Sequence, residues 1–150
     1  TNDIYAGDKK IAGVLIEQSL AGDTIARTVV GIGLNVNQRE FPTDLPNPTS
    51  IVVERGAECE RREVLECFLK HLEKWYSRLE RGEREVIESA YNYRLYRRDE
   101  FHAYALPSGE RFEAAIRGVR ATGHLVLEHR DGSFGEYAFK EVEFVIARKE

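Results

Sequence analysis

Hydrophobic residues in this 150-residue chain repeat with two different periods, and the change of period constrains its fold more than any other feature. From Glu60 to Arg81, residues Val64, Leu65, Phe68, Leu69, Leu72, Trp75, Tyr76 and Leu79 recur three or four apart, which places them on one helical face and predicts that this stripe is core. Gly82 stops the helix by offering a left-handed cap, and a shorter helix is expected from Arg84 to about Tyr93. Beyond Arg97-Arg98-Asp99 the repeat becomes alternating. Phe101 to Leu106, Phe112 to Val119, His124 to Glu128, Tyr137 to Phe139 and Glu143 to Ala147 read as short strands. Pro107-Ser108-Gly109, Thr122-Gly123 and Asp131-Gly132 punctuate them as turns. Such a run of short strands predicts a small barrel, with a domain boundary near residues 94–99.

Upstream, Lys10 to Ser19 and Thr24 to Val36 are rich in β-branched residues, and Ala21-Gly22-Asp23 between them is a turn sequence, which together predict a β-hairpin. From Asn37 to Ser50, Phe41-Pro42, Leu45-Pro46 and Asn47-Pro48 bar regular structure, because proline fixes its own φ and restricts its predecessor. Phe41 and Leu45 are the expected anchors of this loop.

With 42% hydrophobic and 32% charged residues the chain has the balance of a globular protein. Its net charge of -4 lacks the positive excess that nonspecific nucleic-acid binding requires. No apolar run approaches the ~20 residues that cross a bilayer, and no charged and then greasy leader opens the chain, so a cytoplasmic location is expected. Cys59 and Cys67 are too few for a disulfide framework and are expected to be reduced. His71, His102, His124 and His129 lack the carboxylate spacing of a zinc site, so no metal site is expected. Tyr91, Tyr93 and Tyr96 among Arg94, Arg97 and Arg98 mix aromatic and basic groups; RNA stacking is one reading, and a linker packing its rings against both domains is the preferred one. The absence of methionine and the strand-like opening Thr1-Asn2-Asp3-Ile4-Tyr5 suggest a piece of a longer polypeptide.

The most unusual local feature is Gly31-Ile32-Gly33-Leu34-Asn35-Val36-Asn37. Glycine weakens a strand interior, and two in alternation on one face mean either a bulge or tight crossing, or a ligand lying close to the backbone. Asn35 falls on that same face, with an amide able to donate and accept at once. No phosphate-binding helix follows, so this is not a dinucleotide fingerprint. In Lys10-Ile11-Ala12-Gly13-Val14-Leu15-Ile16-Glu17, Ala12 and Gly13 offer a flat wall for a planar ring and Lys10 a charge at its edge; the alternative is an ordinary strand with solvated lysines at its start.

Asn2-Asp3-Ile4-Tyr5, then Lys10 to Glu17, then Gly31 to Asn37 together resemble the biotin protein ligase family. The family's order is a Lys-Trp-Pro-Asn-Asp motif, a Lys-(Ile/Leu)-Ala-Gly-(Ile/Val)-Leu strand and a Gly-(Ile/Ala)-Gly-(Leu/Ile)-Asn strand. Leu45-Pro46-Asn47-Pro48-Thr49-Ser50 is similar to a loop of bacterial members, and Arg117-Gly118-Val119 with Gly123-His124-Leu125-Val126-Leu127 to a stretch of the terminal domain. The resemblance covers essentially the whole chain, is specific in its first fifty residues and mainly topological after that. It implies an α+β architecture. Residues 1–93 would be the C-terminal part of a biotin/lipoate ligase-type catalytic domain, part of a mixed β-sheet packed on helices, and residues 97–150 an SH3-like β-barrel.

The resemblance also implies a reaction: ATP-dependent formation of biotinyl-AMP, with Mg²⁺, then transfer of biotin to a lysine of the biotin carrier domain of a carboxylase. Ala12, Gly13 and Lys10 match the biotin-binding positions, and Gly31, Gly33 and Asn35 the adenylate-binding ones. Val145-Ile146-Ala147-Arg148 aligns with the family in more than one way, with Arg148 as one candidate for an arginine near the nucleotide. Thr1 stands where the family has proline, and the motif's Lys and Trp and the family's arginine-rich loop have no counterpart here. No catalytic residue is therefore expected within this chain, which should not biotinylate alone. No membrane or nucleic-acid partner is evident, and a homodimer is allowed. The alternatives are an inactive protein-binding module and a lipoate-type acyl ligase.

Overall fold

The computed structural model describes residues 2–138 and 140–145. Three strands, β1 (Asp3–Ala6), β2 (Lys9–Ala21) and β3 (Thr24–Leu34), form an antiparallel sheet in that order. Helices α1 (Ile51–Arg55), α2 (Arg61–Glu80) and α3 (Arg84–Tyr93) follow, and then β4 (Phe101–Ala105), β5 (Arg111–Val119), β6 (Leu125–His129), β7 (Phe134–Tyr137) and β8 (Glu143–Phe144). The chain divides into two compact units between Phe68 and Leu69.

In the first unit the hairpin forms as its sequence predicts, with the turn at Gly22 in the left-handed region (φ 61°). Cross-strand partners share a face. Ile4, Ala12, Val14 and Ile16 therefore stand with Val30, Ile32 and Leu34 on one apolar side. Gly13, Leu15, Gly31 and Gly33 stand on the other. A mixed sheet is expected from the resemblance, but both sheets pair antiparallel among the described residues, and parallel pairing is confined to the bridges Lys10↔Pro48 and Arg98↔Ile116.

The proline-rich segment is irregular and then turns into α1, a short helix that the sequence pattern does not announce. Ser50 caps it, accepting from the Val53 amide, and Gly56 (φ 78°) ends it. Its first amides donate out of the helix, Ile51 to the Asn35 carbonyl and Val52 to the Val36 carbonyl, so groups left unpaired at a helix start are satisfied by the exit of β3. Leu45 is 46% exposed and is not the anchor expected of it; Phe41 is half-buried.

The α2 and α3 boundaries fall within a residue of those read from periodicity. The stripe on α2, however, is not core: none of its residues is buried, and Leu65, Leu69, Leu72 and Leu79 are about half exposed. Helical periodicity reports that a face is apolar, and only packing decides whether something covers it.

The second unit has its own core, Tyr104, Ala114, Ile116 and Leu127, bordered by Leu95, Phe112, Leu125, Tyr137, Val142 and Phe144. Its sheet has the order β7-β6-β5-β4-β8 and is open at both ends among the described residues, an arrangement compatible with an SH3-like domain. Strand β7 begins earlier than its alternation suggests, because Asp131 accepts from the amide and hydroxyl of Ser133 and tightens the preceding turn. Glu143 and Phe144 form β8 and the Val145 amide donates to the Ala103 carbonyl at 3.1 Å; Ile146 and Ala147 of the strand expected there, and Phe139, lie outside the described residues. Asn92 accepts from the Val119 amide at 3.0 Å, tying α3 to β5. The preferred linker reading fails for two of its three tyrosines: Tyr91 and Tyr93 are exposed, while Tyr96 lies 5.9 Å from the Phe144 ring.

Candidate functional site

Gly13 and Gly33 are direct partners across β2 and β3, and Gly31 is opposite Leu15 on the same face. A Cβ built on Gly33 would meet nothing nearer than the Gly13 carbonyl at 4.0 Å, and one on Gly31 nothing nearer than Leu15 at 3.9 Å. Among the described residues, the backbone of this strip lies bare. A flat group can therefore approach to van der Waals contact where any larger residue would hold it off.

A β-bulge brings charge to one end of the strip. Ile4 pairs with Ala12 but Tyr5 with Lys10, so Ile11 is the extra residue. A bulge re-aims neighbouring side chains, and here it carries Lys10 to the glycine face. The Lys10 ammonium lies 2.7 Å from the Asp3 carboxylate. A Cβ on Gly13 would be 3.7 Å from Lys10 Nζ and 3.8 Å from Asp3 Oδ1.

Asn35 lies beyond the end of β3, its amide donating to the Ile11 carbonyl at 3.0 Å. Past that point the segment 47–49 takes the edge of β2: the Lys10 amide donates to the Asn47 carbonyl and the Thr49 amide to the Lys10 carbonyl. The Asn35 Nδ2 donates to the Thr49 carbonyl at 2.9 Å. Thr49 and Ser50 are fully buried. The Thr49 hydroxyl donates to Glu54 at 2.6 Å, and the Lys9 ammonium reaches the same carboxylate at 3.3 Å. The Thr49 hydroxyl, and after it Lys9, hold the Glu54 carboxyl below its ordinary value.

The structure thus brings Gly13, Lys10, Gly31 and Gly33 to one side of one sheet, with Asn35 just past the end of β3 and bonded to Ile11. Ala12 is different: it pairs with Ile4 and Leu34, is 3% exposed and points to the opposite face, so its side chain is no part of the glycine wall. Strict alternation already requires this of adjacent strand residues. Arg148 lies outside the described residues. Thr49, Glu54 and Lys9 were not legible as site residues; the one available signal was Ser50 as a helix cap with Glu54 inside the helix it opens. Among the described residues no group of three or more His, Cys, Asp and Glu side chains gathers as a metal cluster. Cys59 and Cys67 form no disulfide, and among the described residues no helix is long and apolar enough to cross a membrane.

No family model matches the chain. Curated relatives do. The bifunctional ligase/repressor BirA of Bacillus subtilis is 36% identical over 78 residues, half of this chain and 24% of that protein. BirA of Salmonella typhimurium is 31% identical over 134 residues, 87% of this chain and 41% of that protein. BirA of Escherichia coli is 28% identical over 152 aligned positions, 99% of this chain and 46% of that protein. The chain therefore spans less than half the length of these relatives. Among solved structures, the apo biotin protein ligase of Aquifex aeolicus superposes with a TM-score of 0.74 at 24% identity, covering 97% of this chain and 63% of that one. The same enzyme in complex with biotin and ATP gives 0.72 over 97% of this chain and 60% of that one. These structures share the fold, and the curated relatives share the sequence. The chain corresponds to the C-terminal region of the biotin protein ligases.

Proposed function

We propose that this chain forms one wall of the biotin and adenylate site of a ligase that makes biotinyl-AMP and transfers biotin to a carrier lysine. The observation that carries this is the open backbone at Gly31 and Gly33, with the Lys10 ammonium over the adjoining Gly13 and the Asn35 amide at that same end of the hairpin. The first step joins a carboxylate to a phosphate, two anions whose repulsion needs fixed positive charge. Lys10 supplies such a charge at the edge of the wall. The second step needs the mixed anhydride kept from water until an amine attacks it, and a ligand lying flat on main chain excludes water from that side. Mg²⁺ would offset further negative charge on the triphosphate.

The same reading assigns residues 1–93 to the catalytic domain and 97–150 to a terminal domain, a carboxylase biotin carrier domain as partner, and the cytoplasm as location. It also requires a lysine-bearing motif and an arginine-rich loop from a further segment. The test mixes the purified chain with labelled biotin, Mg-ATP and a carrier domain, with and without the N-terminal segment of a biotin protein ligase supplied in trans. Label on the carrier only when both pieces are present supports the proposal. A specific carrier complex with no adenylate formed under any condition favours a binding module instead, and transfer of lipoate in preference to biotin favours the lipoate-type ligase.

A further inference from the structure

We infer that Lys9, Glu54 and Thr49 form a positioning chain that orients the Asn35 carboxamide, turning its oxygen rather than its nitrogen toward the base that lies beside the glycine strip. This rests on the adenylate assignment proposed above and deepens it to a basis for selecting among purines.

A carboxamide has two ends of nearly equal size and opposite hydrogen-bonding character, so an untethered asparagine presents either one. Here the nitrogen is taken by the Thr49 carbonyl at 2.9 Å, and none of the described residues donates to the oxygen. The Thr49 carbonyl is itself immobilised. Its residue is fully buried, its amide donates to Lys10 at 2.9 Å, and its hydroxyl donates to Glu54 at 2.6 Å. Lys9 completes the chain on the same Glu54 oxygen at 3.3 Å. A hydrogen bond to an ionised carboxylate is stronger than one between neutral groups, and the Thr49 hydroxyl and the Lys9 ammonium both favour the ionised form of Glu54. Glu54 belongs to α1, whose first amide donates to the Asn35 carbonyl. The chain of contacts therefore closes on the residue it orients.

An acceptor fixed at the edge of a base selects a donor. The 6-amino group of adenine satisfies it, whereas the 6-oxo group of hypoxanthine opposes lone pair to lone pair and leaves both without a partner. Adenine preference would then reside in Asn35 while depending on three residues, Lys9, Glu54 and Thr49, that touch no ligand.

Three variants of the 150-residue chain test this: Thr49→Val, which keeps the shape and loses the hydroxyl; Thr49→Ser, which keeps the hydroxyl; and Glu54→Gln. Two measurements are made on each: hydrogen exchange of the Asn35 side-chain amide by nitrogen-15 NMR, and titration with ATP and with ITP in the presence of the N-terminal segment. In the wild type and Thr49→Ser the amide should be protected and ATP preferred by about tenfold, the effect of one hydrogen bond. Thr49→Val and Glu54→Gln should speed exchange and bring the ATP-to-ITP ratio toward one, with backbone spectra still those of the folded chain. Unchanged exchange and an unchanged ratio in folded Glu54→Gln and Thr49→Val overturn the positioning chain. If the wild type binds neither nucleotide, the adenylate assignment falls, and amide exchange alone then decides whether the chain orients Asn35.

Discussion

Lys10 reaches the Asp3 carboxylate at 2.7 Å and stands over Gly13 because Ile11 bulges out of β2. Each side chain of the pair is about two-fifths exposed. Solvent screens such a pair, and its loss should change stability by less than about 1 kcal/mol. Lys10→Ala should accordingly unfold at nearly the wild-type temperature by calorimetry. In the assembly with the N-terminal segment it should bind biotin roughly 10- to 100-fold more weakly, the effect of losing a charge-assisted contact. Wild-type affinity would remove Lys10 from the site, and a large drop in stability would make it structural.

Gly31 and Gly33 should show opposite effects on stability and binding. Alanine at either position meets only ordinary contacts, at 3.9 and 4.0 Å. A strand interior gains roughly 0.5–1 kcal/mol when glycine becomes alanine. Gly31→Ala and Gly33→Ala should therefore raise the unfolding midpoint while weakening adenylate binding, and Gly13→Val should block the biotin rings. Titration calorimetry showing unchanged ligand affinity in all three would reject the bare-backbone wall.

Tyr104 ties the second unit to pH. Its ring is fully buried, its hydroxyl has no partner among the described residues, and burial, more than any charge, pushes its pKa up to about 12. A folded-state pKa raised above the unfolded value of ~10 leaves stability fully present below pH ~10 and lost as pH rises toward 12. Chemical denaturation between pH 8 and pH 12 should show this loss in the wild type and less of it in Tyr104→Phe. At pH 7 that variant should be neutral or gain about 1 kcal/mol, since it removes a buried group without a partner. A strong loss at pH 7 would mean that the hydroxyl is bonded.

The isolated chain should associate. Ile4, Ile16, Val30, Ile32 and Leu34 leave one side of the first sheet apolar and uncovered, and β3 has no partner along its outer edge among the described residues. Open strand edges and contiguous apolar surface both favour self-association. Light scattering should report species larger than a monomer at micromolar concentration, and a monodisperse monomer would contradict this.

The hairpin, α2, α3 and four of the five later strands were legible because each follows from a local period or a turn residue. The shared face of Gly31 and Gly33 was legible for the same reason, since residues two apart on a strand share a face, whereas Asn35 lies past the end of β3. Ala12 was assigned to the wall by adjacency to Gly13, and alternation sends it to the other side. Helix α1 was missed because five residues carry too little periodicity to read.

The sequence by itself determined which segments are strands and helices, and which strand face is stripped of side chains, because those properties depend on neighbours within a few residues. Only the tertiary structure decided that Ile11 bulges, that Lys10 thereby joins Asp3 over Gly13, and that the segment 47–49 returns to β2 to hold Asn35. Those contacts join residues far apart along the chain, and their geometry exists only once the strands have paired.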